Sequence, residues 1–216
     1  MSEQDSYLEE LFNQNRDFTE KQKKIMMAAI ESFSEKGYAA TSTSEIAKKA
    51  GVAEGTIFRH YKTKKDLLIS IVAPMLSHFI APFVIRDLNK VLDHQYGQFE
   101  DFLRAMIENR RAFLKHNMSL FRILIQEIPF HPELKEQFKE HIALKVFERL
   151  TNIVNYYQEK GQIIEMPAFS AIRMTFSAVF GYFIARFILL PEADWDDEAE
   201  IERTIQFILY GLSPRK

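Results

Sequence analysis

The stretch Ser44–Tyr61, which reads SEIAKKAGVAEGTIFRHY, decides the fold. Its small Ala47 lets two helices cross closely, and four residues later Gly51 tolerates the positive φ of a tight turn. Val52 and Ile57 have the spacing to hold a second helix against the first. These four requirements, met in register within eleven residues, predict a helix-turn-helix whose second helix can enter a DNA major groove about 12 Å wide.

The residues around this stretch predict several short helices with well-defined ends. An ordinary helical hairpin is the alternative, because Ala, Gly and Val are common residues. The neighbouring caps favour the helix-turn-helix, since each one satisfies free backbone groups at a predicted helix end. The predicted caps are Thr19 with Gln22, Gly37, Ser42 with Glu45, and Thr63.

The basic charge lies in the same region. Residues 19–65 carry ten Lys or Arg and five Glu, a net charge of +5 within a chain whose net charge is −2. Residues 1–18 carry one Arg and five acids, net −4, so we expect an acidic N-terminal extension and not a secretory signal. The chain has no cysteine, which excludes disulfides and thiolate metal sites and fits a cytoplasmic location.

With its flanks, the motif resembles the TetR family of transcriptional regulators. The family segment reads roughly Ile-Ala-x-x-Ala-Gly-Val-x-x-Gly-Thr-Leu-Tyr-x-Tyr-Phe, followed by Ser-Lys or Thr-Lys. Here Ile46–Tyr61 and then Thr63 and Lys64 match it, and the resemblance is specific over about residues 19–70. It implies an all-α fold in which an N-terminal three-helix DNA-binding domain with the helix-turn-helix (19–70) follows the extension (1–18). A larger helical effector-binding and dimerisation domain (71–216) completes the chain.

The resemblance also implies which residues contact DNA. Thr43 and Thr56 would offer hydroxyl or backbone N–H groups to phosphates, and Lys64 would anchor another phosphate at a helix start. Arg59 is the best candidate for reading a base, because its guanidinium can contact guanine O6 and N7. An Arg59 that contacts only phosphate is the alternative.

Two residues depart from the family pattern. Phe58 stands where Tyr is frequent, so a hydroxyl for phosphate is missing there. His60 stands where Tyr or Phe is usual; it either contacts phosphate or packs as a neutral ring inside the small domain.

Apolar helices near the end of the chain predict a homodimer. Small residues there would let helices approach closely, and two copies of the last two helices would form a four-helix interface. A core buried inside one protomer is the alternative. The residues expected at the interface are Phe169, Ala178, Gly181, Ala185, Ile201, Ile205 and Ile208.

One of these helices also raises the question of a membrane span. Thirteen of the seventeen residues from Met174 to Leu190 are apolar. Seventeen residues is the lower limit for a span, and Arg186 would cost roughly 2.5–3.5 kcal/mol near a bilayer centre. We therefore expect a buried helix and no membrane partner.

An aromatic-rich region predicts a site for a small apolar effector. Ligand sites are mostly apolar with few polar groups, and a long-chain compound fits such a lining best. The alternative is that these side chains form plain core. The expected lining residues are Met106, Arg110, Phe113, Phe121, Gln126, Phe130, Phe138 and Phe176.

Prolines predict two further features of the helical domain. Pro74 predicts a kink, and Pro82 predicts the end of a helix. Pro129 is expected to keep Glu127 and His131 off a shared helical face, and His131 itself is expected to cap the following helix.

No catalytic motif accompanies these features. The chain has no Gly-x-Ser-x-Gly elbow, no His-Glu-x-x-His and no phosphate-binding glycine loop, and its six histidines lack metal-ligand spacing. We therefore expect neither catalysis nor a cofactor nor a metal. The sequence predicts a ligand-responsive repressor that binds a palindromic operator as a homodimer and is released by its effector. An activator of the same fold and a helical carrier of apolar ligands remain alternatives.

Overall fold

The computed structural model describes residues 19–74 and 81–212, and those ranges contain helices and no strand. The all-α fold is therefore confirmed. The α-helices are α1 (Glu20–Ala40), α2 (Thr43–Ala50), α3 (Glu54–His60), α4 (Lys64–Pro74), α5 (Ala81–Leu92), α6 (Phe99–His116), α7 (Met118–Glu127), α8 (Pro132–Phe138), α9 (Leu144–Glu159), α10 (Ala168–Ile184) and α11 (Asp197–Leu212).

The predicted helix starts are present. At α1 the N–H of Gln22 donates to the Thr19 hydroxyl over 3.3 Å, and the N–H of Thr19 donates to Gln22 Oε1 over 3.0 Å. At α2 the Ser42 hydroxyl accepts from the N–H of Glu45 over 3.1 Å. The expected return contact from Glu45 to Ser42 is replaced by another, because the Glu45 carboxylate accepts a hydrogen bond from Lys36.

Two glycines with positive φ shape the first three helices. Gly51 ends α2 in the left-handed conformation, with φ 67° and ψ 34°, as the sequence predicts. Gly37, with φ 77°, breaks α1 near its end. The buried hydroxyl of Thr41 holds this break, since it lies 3.0 Å from the carbonyl oxygen of Ser32 and 2.9 Å from that of Gly37.

Pro82 is the second residue of α5. The residues before Ala81, where a preceding helix would end, lie outside the described ranges, so the helix end predicted near Pro82 stays a prediction. A first-turn proline costs no hydrogen bond, because the N–H that it lacks would have had no partner within the helix. α4 ends at Pro74 and residues 75–80 lie outside the described ranges, so the kink at Pro74 stays a prediction.

The chain divides into two compact units. The first consists of the described residues up to Phe83 together with Leu114–Ile142, so that α7 and α8 belong with the helix-turn-helix. The second consists of Val84–Phe113 and the chain from Ala143 onward. The boundary at Ile142 falls in a π-helical turn, Lys139–Ala143, which lies between α8 and α9.

A half-buried polar cluster joins three helices of the second unit. Asp197, in the first turn of α11, accepts hydrogen bonds from the hydroxyl of Tyr182 (2.9 Å), Nε of Arg186 (2.9 Å) and Nη1 of Arg111 (3.2 Å). Burial by itself would raise the pKa of Asp197, but these donors and the two positive charges hold it below its usual range. Burial also raises the pKa of Tyr182, so its hydroxyl stays a donor.

The cluster around Asp197 predicts that the stability of the protein depends on pH. The pKa of Asp197 is lower in the folded protein than its value of 3.8 in the unfolded chain. The cluster therefore stabilises the fold above pH 3.8, and this stabilisation is lost as the pH falls through the pKa of the folded state. We expect Asp197→Asn to lower the free energy of unfolding by about 1–3 kcal/mol at pH 7, because it weakens the contacts of two arginines. Urea denaturation between pH 7 and pH 3 measures it, with the exposed Asp194→Asn as the control. The deficit of Asp197→Asn should shrink below pH 4; a constant deficit would contradict the assignment.

Candidate nucleic-acid interface

The turn between α2 and α3 has the geometry that the sequence predicts. The N–H of Val52 donates to the carbonyl of Ala47 over 3.0 Å, and that of Gly51 donates to Lys48 over 3.3 Å. Ala47 is 2% exposed and Ile57 is 0% exposed, so both lie in the contact between the two helices. The position of α3 against α2 is therefore set by packing, and the opposite side of α3 is left to solvent.

Four of the six predicted DNA-binding residues, Thr56, Phe58, Arg59 and His60, lie on α3. Phe58 is 47% exposed, Arg59 is exposed and Thr56 is half-buried. Within the part of the chain that the structure describes, no carboxylate lies within 4 Å of Arg59, so its guanidinium is available to a base or a phosphate. The side chain of His60 lies outside the described residues, and its role stays a prediction.

The hydroxyl of Thr43, predicted to contact phosphate, already has a protein partner. It donates a hydrogen bond to Oε1 of Glu54 over 2.8 Å. Sequence reasoning missed Glu54, although its place as the first residue of α3 is a signal that it could reach DNA.

Lys64 contacts the end of α1. Its Nζ donates to the carbonyl of Ala39 over 3.3 Å and lies 4.3 Å from the centre of the Tyr38 ring. Both partners leave an ammonium group with unused hydrogens, since it has three. A phosphate contact from Lys64 therefore stays a prediction, and such a contact would tie the DNA backbone to the residues that precede α2.

Ion pairs occupy part of the basic block. Lys36 pairs with Glu45, and Lys49 lies 3.1 Å from Glu31. Among the residues that the structure covers, the exposed Lys48 and Lys62 have no carboxylate within 4 Å. These two lysines are phosphate-binding candidates that the sequence motif did not single out.

A buried hydrogen-bonded contact attaches the end of α1 to α7 and α8. The backbone N–H of Tyr38 donates to Oε1 of Glu127 over 3.1 Å, and Oε2 of Glu127 lies 3.1 Å from Nε2 of His131. Glu127 is 6% exposed and His131 is 9% exposed. The ring of Tyr38 also meets the ring of His131 edge to face, with centroids 5.2 Å apart. We call these three residues the Tyr38–Glu127–His131 joint.

The joint corrects two sequence expectations. The chain keeps a helical hydrogen bond across Pro129, from the N–H of His131 to the carbonyl of Glu127 (3.1 Å), through the 3-10 turn Ile128–Phe130. The two side chains therefore do share a face. His131 occupies the position before α8, but its ring binds Glu127 and does not cap the helix.

The predicted effector residues fall in both units, and their common pocket stays a prediction. Arg110 is the most constrained of them: it pairs with Asp87 and stacks 4.6 Å from the centre of the Phe113 ring. Burial lowers the pKa of Arg110, and the nearby Asp87 charge opposes that effect. Met106, Arg110, Phe113 and Phe176 belong to the second unit, and Phe121, Gln126, Phe130 and Phe138 belong to the first.

The predicted interface residues separate into two groups. Phe169 and Gly181 are exposed, and Ala178 and Ala185 are half-buried. The three isoleucines of α11 are instead buried by their own protomer: Ile201, Ile205 and Ile208, at 0–3% exposure.

A large apolar surface of α10 and α11 remains uncovered. Phe176, Phe207 and Tyr210 are 60%, 72% and 81% exposed. The helical stretch Ala168–Leu189 is apolar and long enough to cross a membrane, although length and composition alone are weak evidence for a span. Only 11% of its most apolar 18-residue segment is buried. The alternative of a core buried inside one protomer therefore does not hold for most of this surface, which we call the α10–α11 face.

An exposed recognition helix fixed on a helical scaffold defines a DNA-binding transcriptional regulator. A model of the bacterial regulatory proteins of the tetR family matches residues 25–71. The chain is 30% identical over 197 residues to the uncharacterized HTH-type transcriptional regulator YvkB of Bacillus subtilis (strain 168), covering 88% of this chain and 96% of that protein. The chain therefore belongs to the TetR family of transcriptional regulators.

Two further comparisons concern regulators of fatty-acid metabolism. The fatty acid metabolism regulator protein of Bacillus subtilis (strain 168) is 46% identical over 56 residues, which are 26% of this chain and 29% of that protein. The crystal structure of the regulator FadR from Bacillus subtilis in complex with stearoyl-CoA has the same fold. It superposes with a TM-score of 0.64 at 24% identity and covers 88% of this chain and 98% of that one.

The exposed cations predict two distinguishable effects on DNA binding. Arg59→Ala should reduce discrimination at one base pair of each half-site by about 1–3 kcal/mol, because its contact is to a base. Lys62→Ala should weaken binding to all sequences alike and lower the slope of log affinity against log salt by about one, because its contact is to phosphate. Fluorescence anisotropy over a salt series measures both, with the exposed Lys145→Ala as the control. A change of base preference in Lys62→Ala would reverse the two assignments.

Proposed function

We propose that the protein is a cytoplasmic repressor that binds a palindromic operator as a homodimer and leaves it when a fatty-acyl effector binds. The single observation that carries DNA binding is the uncovered face of α3, with Arg59 free of any carboxylate within 4 Å in the described residues. Two exposed lysines that precede and follow α3 in the chain, Lys48 and Lys62, are the candidates for phosphate contacts beside it.

The α10–α11 face supports the homodimer. Exposed apolar patches of this kind mark interaction sites, and an isologous interface lets one patch cover its own copy. Two protomers would then present two α3 helices to successive major grooves, about 34–36 Å apart on one side of the DNA.

The proposed dimer predicts the effect of a double variant in the α10–α11 face. Phe207→Ser combined with Tyr210→Ser should convert the protein to a monomer and lower operator affinity at least tenfold, because both side chains would lie in the interface and one protomer reads only half of the operator. Analytical ultracentrifugation and operator titration measure the two effects. Leu144→Ser, which removes another exposed apolar side chain (54% exposed) from α9, is the control. A double variant that remains dimeric would contradict this interface.

The pair of Arg110 with Asp87 supports an effector that carries a negative group on an apolar chain. Both side chains are largely buried, at 16% and 13% exposure, and Asp87 also accepts from Lys90. A carboxylate or phosphate can replace Asp87 as the partner of a guanidinium, since all three offer paired oxygens. The stearoyl-CoA bound by FadR has this combination of an apolar chain and negative charge.

Release from DNA would follow from a population shift. An effector that binds better to the conformation in which the two α3 helices are wrongly spaced lowers operator affinity by that difference in binding free energy. Two of the predicted ligand residues, Phe121 and Gln126, lie on α7, the helix that holds Tyr38 through Glu127. A ligand contact on α7 would therefore act on the attachment of the helix-turn-helix.

The test begins with protein that has been unfolded, stripped of bound lipid and refolded. Genomic fragments are selected with it at low salt, and the enriched DNA is footprinted. We expect a protected palindrome that is released by stearoyl-CoA and not by CoA alone. Asp87→Asn should lower the stearoyl-CoA concentration needed for release, because it removes the competitor for Arg110, and Arg110→Lys should raise it.

Each outcome bears on a different part of the proposal. A protected site that stearoyl-CoA does not release would overturn the effector and leave DNA binding intact. The absence of any enriched DNA with folded, dimeric protein would overturn the operator and favour a helical carrier. A reporter gene under the selected operator shows whether bound protein lowers transcription, as a repressor does, or raises it.

A further inference from the structure

We infer that Glu54 reads a base pair of the operator, selecting cytosine, and that Phe58 beside it contacts a thymine methyl group. This inference rests on the binding of α3 in the major groove. Both residues lie on α3, both are exposed, and the predicted DNA contacts give neither of them a role in base recognition.

The geometry of α3 puts the two side chains on one flank of the helix. Ile57 is fully buried and marks the side that packs on α2. At 3.6 residues per turn, Glu54 and Phe58 are neighbours one turn apart. Arg59 projects from the side opposite Ile57. The residues at the start of a recognition helix are the ones that contact base edges, which places Glu54 among them.

The hydrogen bond from Thr43 fixes one oxygen of the Glu54 carboxylate. The hydroxyl of Thr43 has a single hydrogen, which it donates to Oε1 over 2.8 Å. It therefore cannot donate that hydrogen to a phosphate at the same time. The second oxygen, Oε2, is left for another donor, and in residues 19–74 and 81–212 no lysine or arginine lies within 4 Å of Glu54.

The chemistry of the carboxylate then selects the base. A carboxylate without its proton only accepts hydrogen bonds, and it repels phosphates and the acceptor edges of other groups. In the major groove guanine and thymine present acceptors, whereas cytosine presents the N4 amino donor. Adenine presents a donor beside an acceptor, which suits an amide better than a carboxylate. Glu54 therefore favours cytosine.

Phe58 completes the reading surface by apolar contact. It is 47% exposed, and it lacks the hydroxyl through which a tyrosine at the same place would bind phosphate. The thymine methyl is the apolar group that the major groove offers, and contact with it removes both surfaces from water. The two residues together predict a half-site in which a cytosine and a thymine lie close together.

The experiment is selection from a random duplex library by the full-length wild type and by Glu54→Gln, Glu54→Ala and Phe58→Ala. We expect the wild type to enrich cytosine at one position of each half-site. Glu54→Ala should lose that preference about tenfold, and Glu54→Gln should shift it to adenine, because an amide can both donate to N7 and accept from N6. The positions read by Arg59 should be unchanged, as should every preference of the matched control Glu45→Gln.

The thymine contact is tested by replacing thymine with deoxyuridine, which lacks the methyl group, at the selected position. The wild type should lose affinity about three- to tenfold, while Phe58→Ala should bind the two operators equally. Equal binding of both operators by the wild type would overturn the assignment of Phe58.

Other outcomes separate reading by Glu54 from simpler roles. Tighter binding of Glu54→Gln to all sequences, with preferences unchanged, would show that Glu54 only repels phosphate and would overturn the inference. Uniformly weaker binding with unchanged preferences and a lower melting temperature would also overturn it, because it would assign Glu54 to a structural bond with Thr43. A wild type that enriches no DNA would be a failure of operator binding itself, and it would appear before any variant is compared.

Discussion

The placement of the DNA-reading helices depends on one buried carboxylate. Glu127 accepts the backbone N–H of Tyr38 and holds His131, and both of its oxygens are used. A buried polar group is tolerated only when it is hydrogen-bonded, so α1 cannot separate from α7 and α8 without leaving Glu127 without one of its partners. Because Tyr38 lies between the break at Gly37 and the start of α2, the joint also sets the direction in which the helix-turn-helix leaves α1.

Ion pairs near the helix ends decide which charges remain available on the surface of the helix-turn-helix. The carboxylate of Glu45 pairs with Lys36 and does not return a capping contact to the start of α2. Lys49 pairs with the glutamates Glu31 and Glu35 of α1. These pairs are solvent-exposed and contribute little stability. Their effect is on recognition, since they remove cations from the surface and leave a smaller set around α3, with the carboxylate of Glu54 beside them.

The second unit shows the same separation between core and recognition surface. Three isoleucines of α11 fill its interior, and the cluster around Asp197 ties α6, α10 and α11 together with hydrogen bonds that need no second copy. The aromatic side chains that remain outside, such as Phe207, cannot be covered by that core. The protomer therefore has its own core, and its uncovered apolar face is the surface on which the proposed homodimer rests.

Local features of this protein could be determined from the sequence alone, and long-range ones could not. The cap at Thr19 and the left-handed turn at Gly51 depend on residues within four positions, so their pattern is visible in the sequence. The contact between Tyr38 and Glu127 joins residues 89 positions apart, and no local pattern specifies it. A helical period likewise shows that Ile205 and Phe207 lie on different sides of α11. Only the packing of the whole unit decides which side becomes core and which is left for a partner, because burial depends on what the rest of the chain places against each side.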